Sequence, residues 1–283
     1  MEVKHKMIIR KIFNNNVVLA VGEDENELVL MGRGIAFQKK AGEFIDESKV
    51  DKIFVEGLSN KLTELLKDTP QNHLELADEI INNAKSKLTA KLSDYIYLTL
   101  TDHLDFAITR IKQGQILRNP LLWEIKKIYP KEYRIGIQAL EMVKEKLGVI
   151  LPEDEAGSIA LHLVNAQNGS QEMDQTIEIT EMVHDILQIV RYHYGIDLDE
   201  ESLNYSRFIV HLRFFAQRLT EKHIHVDDNN DLFEIVKEKF PHSYSCVEII
   251  DGYVKKATGI SLSKSEMVYL MLHIQRVTVR TEN

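Results

Sequence analysis

The strongest constraint in this sequence is that its helical part occurs twice. Shifted by 111 positions, Lys126 falls on Lys237, Pro130 on Pro241, Tyr133 on Tyr244, Val143 on Val254, Lys144 on Lys255 and Gly148 on Gly259. The match continues with Leu151 on Leu262, Glu155 on Glu266, Leu161 on Leu272 and His162 on His273. Upstream, a three-residue change in loop length brings HLDFAITR (103–110) onto HLRFFAQR (211–218). Self-similarity at a fixed period marks one structural unit present in two copies. Helical spacing runs from about Leu58 to the end, as in LELADEIINNAKSKL (74–88), LLWEIKKIY (121–129) and YRIGIQALEMVKEKLG (133–148). Gly148 supplies a C-cap signal. Pro152 opens the next helix, with Glu153, Asp154 and Glu155 placed to suit its dipole. The polar stretch NAQNGSQEMDQ (165–175) reads as a linker between the copies.

Residues 7–55 follow a different period. MIIRKIF (7–13), VVLAV (17–21), ELVLM (27–31) and KIFVE (52–56) are strand-like. The asparagines 14–16 make a hairpin turn, because asparagine tolerates left-handed backbone. The sequence therefore predicts a multidomain chain: a small antiparallel β-sheet domain over 1–57, then two homologous all-α, helical bundle domains over 58–170 and 171–283. A sheet of this size has a thin core, and dimerisation would help it.

Composition narrows the function. No apolar run is long enough to span a bilayer, and MEVKHK at the start lacks the apolar core of a signal peptide, so a cytoplasmic protein without membrane insertion is expected. One cysteine, Cys246, allows no intrachain disulfide and no cysteine-based zinc site. The net charge of −9 argues against broad electrostatic binding of nucleic acid. Residues 1–57 carry nine Lys/Arg and ten Asp/Glu, but segregated: Lys11, Arg33, Lys39 and Lys40 sit near asparagines, glycines and Phe37. No metal site, cofactor fingerprint or catalytic triad is legible. GRG (32–34) is too short for a phosphate loop, and His223 with His225 beside Asp227 and Asp228 reads as a solvated loop. No catalytic residue, metal or cofactor is expected, and the chain is not read as an enzyme.

Two groups of residues carry the remaining signal. Of eleven histidines, four occupy matched repeat positions: His103 with His211, and His162 with His273. Imidazole can accept and pass on a phosphoryl group, and phosphate there would change the local charge sharply. A histidine on an apolar helix is more often a satisfied core residue, and the residues alone leave both readings open. Asp102 is placed to polarise His103, although adjacency does not prove contact. The second group is MGRGIAFQKKAGEF (31–44) with the asparagine turn. Arg33, Phe37 and Gln38 on a glycine-flanked segment, near Asn14 and Asn16, suit unpaired RNA bases that stack on aromatics and are read by amides. Asparagine as a plain turn residue and Phe37 as core are the bland alternatives.

The stretches KIFNNNVVLA, MGRGIAFQKKAG, LTDHLDFAI, LPEDEAGSIALHLVNA, HLRFFAQRL and LMLHIQRV, in this order, resemble the BglG/LicT/SacY-type antiterminators, nearest to the LicT-like branch that responds to β-glucosides. The resemblance covers the chain from Met7 and makes residues 1–6 an extension, expected to be disordered. It implies a co-antiterminator RNA-binding domain and two PTS regulation domains. It implies a homodimer that binds a hairpin in nascent leader RNA through Lys11, Asn14, Asn16, Gly32, Arg33, Gly34, Phe37 and Gln38, and so prevents termination. By the same resemblance His103, His162, His211 and His273 are phosphorylated, the first pair by a sugar permease and the second by the phosphocarrier HPr. The competing expectation is a DNA-binding activator with the same regulatory domains, which would need an N-terminal helix-turn-helix.

Overall fold

The structure, a computed structural model, describes residues 7–22, 26–54, 56–167, 174–221 and 230–279. Residues 1–6, and with them the expected disorder, lie outside the described residues. Four strands form first: β1 (Ile8–Asn14), β2 (Val17–Val21), β3 (Glu27–Met31) and β4 (Lys52–Phe54). They pair antiparallel in chain order. The expected asparagine turn closes over Asn15 and Asn16. Register shifts in β1, between Ile9 and Lys11 and between Ile12 and Asn14, bend the strand and re-aim its side chains. β4 ends at Phe54, short of the expected 56, because α1 (Glu56–Asp68) begins there. No helix-turn-helix occurs among the described residues of 7–54, so the requirement of the DNA-binding alternative is not met.

Alternation sends successive side chains of β2 to opposite faces, and both faces are buried. Ile9, Val18, Ala20 and Leu30 pack with Ile35, Ala36 and Ile45 from the segment after β3. Val17, Leu19, Val29 and Phe54 join a larger core with α1 and with α2 (Gln71–Lys87), α3 (Ile96–Lys112), α5 (Pro130–Leu147) and α6 (Glu153–Gln167). The sheet that looked thin in isolation thus gains a core within its own chain.

The remaining helices are α4 (Leu122–Ile128), α7 (Asp174–Tyr194), α8 (Leu203–Thr220), α9 (Asn230–Lys239), α10 (Pro241–Thr258) and α11 (Lys264–Thr278). α5 and α6 recur as α10 and α11 with both ends displaced by the 111-residue period. Gly148 and Gly259 follow α5 and α10 at φ +66° and +78°, the left-handed conformation a helix C-terminus favours. The expected linker is shorter than read, since α6 continues to Gln167 and α7 starts at Asp174.

Two compact units result: Met1–Arg118 with Lys131–Gln171, and Asn119–Pro130 with Glu172–Asn283. α4 breaks the repeat symmetry. Its counterpart α9 packs on α11 and α10, whereas α4 packs on α7 and α8 in the second unit. There Trp123 Nε1 donates to Glu200 Oε2 at 2.9 Å, and Glu124 Oε1 lies 2.5 Å from His184 Nδ1.

α5 and α6 approach closely at Gly136, where a Cβ would stand 2.3 Å from the Ala156 carbonyl oxygen. Alanine is the better helix former by about 1 kcal/mol. A clash against backbone cannot be relieved by a rotamer change, and overpacking costs about 1–3 kcal/mol. Gly136→Ala is therefore expected to lower the urea midpoint. Gly252→Ala, with nothing within 4 Å of its Cβ, should leave it unchanged or raise it.

Candidate histidine clusters and nucleic-acid interface

In each unit the matched histidines face each other across two helices. His103 on α3 and His162 on α6 have ring centroids 4.9 Å apart, and His211 on α8 and His273 on α11 have theirs 4.3 Å apart. α6 is buried almost all round, as its apolar sequence predicts. Four polar residues therefore meet in an apolar setting. Glu155, also on α6, places Oε2 3.2 Å from His103 Nε2, a contact too poorly aligned for a hydrogen bond, and its other oxygen pairs with Arg110 of α3. Eight buried side-chain polar atoms lack a hydrogen-bond partner among the described residues, and four lie here: His103 Nε2, Arg110 Nε, Glu155 Oε2 and His162 Nδ1. A cluster so under-bonded marks a functional site more readily than a stability device. Asp102 is exposed, and the carboxylate that meets His103 is that of Glu155.

The second cluster reuses these positions with different bonds. Arg218 and Glu266 match Arg110 and Glu155, but stand 3.8 Å apart. Glu266 instead completes a capping box with Ser263 at the start of α11. The hydroxyl of Tyr269 bonds His211 Nδ1. The identities Arg110–Arg218 and Glu155–Glu266 were visible in the repeat alignment and were the available signal for these residues. Burial lowers the pKa of His162 well below the usual histidine value, helped by His103. It lowers that of His273 to about 4, helped by His211 and Arg276, and also lowers that of His211, helped by Arg218.

The β module assembles the other group. Asn16 Oδ1 accepts from Gly34 N at 2.8 Å, Asn16 O from Gly32 N at 2.9 Å, and Asn15 O from Ala36 N at 3.0 Å. The asparagine turn and the 32–38 loop are thereby locked together, and the half-buried Asn16 has a structural task. A Cβ on Gly32 would lie 1.7 Å from the Lys49 carbonyl oxygen, so only glycine fits there. Gly34 and Gln38 adopt positive φ, +67° and +58°; for glutamine this is uncommon and marks a constrained turn. Arg33, Phe37 (58% exposed) and Gln38 project to solvent from this turn. Lys11 is exposed on β1, with its ammonium 5.1 Å from the Phe13 ring centroid. The Asn14 backbone pairs with Val17, and its side chain lies outside the described residues. A cleft of about 620 Å³ runs from Asn16, Gly32 and Arg33 to Asp78, Glu79 and Asn82 of α2. Lys85 also lines it, its pKa lowered to about 8 by burial and by Lys52.

Other chemistry finds little support. Among the described residues, no group of three or more His, Cys, Asp or Glu could hold a metal ion, and no helix is long and apolar enough to cross a membrane. His223 and His225 lie outside the described residues. Cys246 is buried and its thiol is pushed up to about 12, which removes it as a nucleophile.

A β module holding a stiff, exposed Arg–Phe–Gln loop, joined to two bundles that each pair a buried with a half-buried histidine, defines a modular regulatory protein. The family described as CAT RNA binding domain matches residues 7–61, and the PRD domain matches 78–166 and 184–277. Transcription antiterminator LicT of Bacillus subtilis (strain 168) is 48% identical over 275 residues, which cover 96% of this chain and 99% of the relative. The beta-glucoside operon antiterminator of Dickeya chrysanthemi is 43% identical, over 96% of each chain. A crystal structure of GlcT CAT-PRDI superposes with a TM-score of 0.51 at 35% identity, covering 57% of this chain and 98% of that one. The chain belongs to this family of CAT- and PRD-containing transcription antiterminators.

Buried neutral imidazoles tie stability to pH. The His273 pKa lies below the ordinary 6.5, so its contribution is complete above about 6.5 and is lost as pH falls towards about 4. Urea midpoints across that interval should fall for the wild-type chain and fall less for His273→Asn. Parallel declines would assign the loss to other groups.

Proposed function

We propose that this chain is a sugar-responsive transcriptional antiterminator. Its β module, residues 1–57, binds a hairpin in nascent leader RNA as a homodimer and so keeps a terminator from forming. The observation that carries this is the loop on which Arg33, Phe37 and Gln38 project together from a turn held rigid by Asn16 and Gly32. Preorganised stacking and amide groups suit unpaired bases, and the overall negative charge requires such local, geometric recognition. Lys11, Asn14 and Gly34 complete the contact segments. The relatives named above support the reading, and by the same likeness the controlled operon serves β-glucoside use.

The helical domains, 58–170 and 171–283, report the state of sugar transport through phosphate on His103, His162, His211 and His273. A sugar permease phosphorylates the first pair and silences the protein, and the phosphocarrier HPr phosphorylates the second and activates it. Phosphate added to an apolar helix pair must alter its packing, because burying an uncompensated charge is costly. The protein is a substrate of these transfers, works in the cytoplasm, and is not itself an enzyme.

Base stacking on an aromatic is worth about 1–3 kcal/mol. Phe37→Ala and Arg33→Ala in the full chain are each expected to weaken binding to a leader hairpin about tenfold or more, measured by fluorescence anisotropy against a scrambled hairpin. Equal, weak binding to both RNAs by the wild-type chain would overturn the effector reading. In cells, His211→Ala with His273→Ala should lower antitermination, and His103→Ala with His162→Ala should make it independent of inducer. Identical phenotypes would count against the division of labour.

A further inference from the structure

We propose that the two repeats offer opposite imidazole nitrogens to a phosphoryl donor: Nδ1 of His103 in the first and Nε2 of His211 in the second. This deepens the regulatory reading above and rests on it. The argument starts from what each ring already touches. Nε2 of His103 is buried and lies 3.2 Å from Glu155 Oε2. The second oxygen of Glu155 pairs with the Arg110 guanidinium, which holds the carboxylate in place. A nitrogen lone pair this close to a carboxylate oxygen would be repelled, so Nε2 carries the ring hydrogen and the lone pair resides on Nδ1. The His103 side chain keeps 17% of its surface exposed, and since Nε2 is buried that surface belongs to its other atoms.

His211 is held from the other side. Its Nδ1 is covered by the Tyr269 hydroxyl. When the phenol oxygen accepts, Nδ1 carries the hydrogen and Nε2 is the nucleophile. The cause lies in two mismatched repeat positions. Ser263 gives Glu266 a capping partner, whereas the matching Pro152 has neither an N–H nor a hydroxyl to offer. Glu155 is thus left to face His103, while Glu266 is retained at the helix start. Tyr269 reaches His211, but the matching Ser158 is too short, and its hydroxyl turns back to the Asp154 carbonyl at 3.5 Å. Glu155 and Tyr269 are therefore positioning residues. They select the ring nitrogen and do not touch the transferred group.

The transfer balances in either repeat. The free nitrogen lone pair forms the N–P bond as the donor's own bond to phosphorus breaks. The donor is a phosphohistidine of a carrier protein, or phosphoramidate as a chemical substitute. It departs with that electron pair and takes up a proton from water. The hydrogen on the second ring nitrogen stays at Glu155 or Tyr269.

The test treats the full chain with phosphoramidate, cuts it, and probes the His103 and His211 peptides with antibodies selective for each phosphohistidine isomer. The expected result is the Nδ1 isomer at His103 and the Nε2 isomer at His211. Tyr269→Phe, which loses a single oxygen, should raise the Nδ1 fraction at His211 severalfold. Glu155→Gln should keep the His103 isomer, because an amide oxygen in the same place still disfavours a lone pair on Nε2, whereas Glu155→Leu should yield a mixture. The same isomer at both histidines, or an unchanged ratio in Tyr269→Phe, would overturn the proposal and leave the regulatory reading intact. A chain that takes no phosphate on any of the four histidines would overturn both.

Discussion

An imidazole enclosed between two helices must find its partners within a turn or two of its own position, and this requirement shapes both halves of the helical region. α6 is so apolar that, among the described residues, Glu155 pairs with Arg110 and lies against His103, while His162 faces the His103 ring. The Arg110 guanidinium and the Glu155 carboxylate offset each other, and removing either would strand the other in a dry setting. The cluster thereby ties α3 to α6 through polar side chains inside an otherwise apolar contact.

The β module meets a different demand, that of holding flexible residue types still. Gly34 and Gln38 carry the chain through left-handed turns, while the Asn16 carboxamide and the close seat of Gly32 over Lys49 remove the freedom those turns would otherwise keep. Arg33 and Phe37 thus present their side chains from a backbone whose ordering cost was met on folding, which leaves more of the contact energy for a ligand. The carboxylates of Asp51, Asp78 and Glu79 share the cleft with Arg33, so the electrostatic setting of this loop is not set by the loop alone.

Much of this could be read in the sequence where local chemistry decides. The strands follow from alternation and the asparagine turn, and the ends of α5 and α10 from glycines that take positive φ. The histidine pairs were visible because a repeat preserves positions. What stayed hidden depended on contacts between distant residues. The bond of Asn16 to Gly34 N emerges only when the two loops meet. Asp102 was the nearer acid to His103 in sequence, yet a helix turns adjacent residues to different faces, and Glu155 arrives from another helix. The identity of Glu155 with Glu266 suggested equivalence. Their different roles come from the mismatches Pro152 with Ser263 and Ser158 with Tyr269, which a search for identities passes over.

The placement of α4 was equally illegible, since a seven-residue amphipathic helix suits more than one bed. Its location has a topological consequence. The backbone leaves the first unit after Arg118, contributes a helix to the second, returns at Lys131, and departs again after Gln171. No single cut yields the second unit whole, and a fragment beginning at α7 would leave the seat of Trp123 and Glu124 open. A boundary drawn by sequence order alone therefore assigns α4 to the wrong unit, and a fragment meant to hold the second unit needs residues from both sides of Lys131–Gln171.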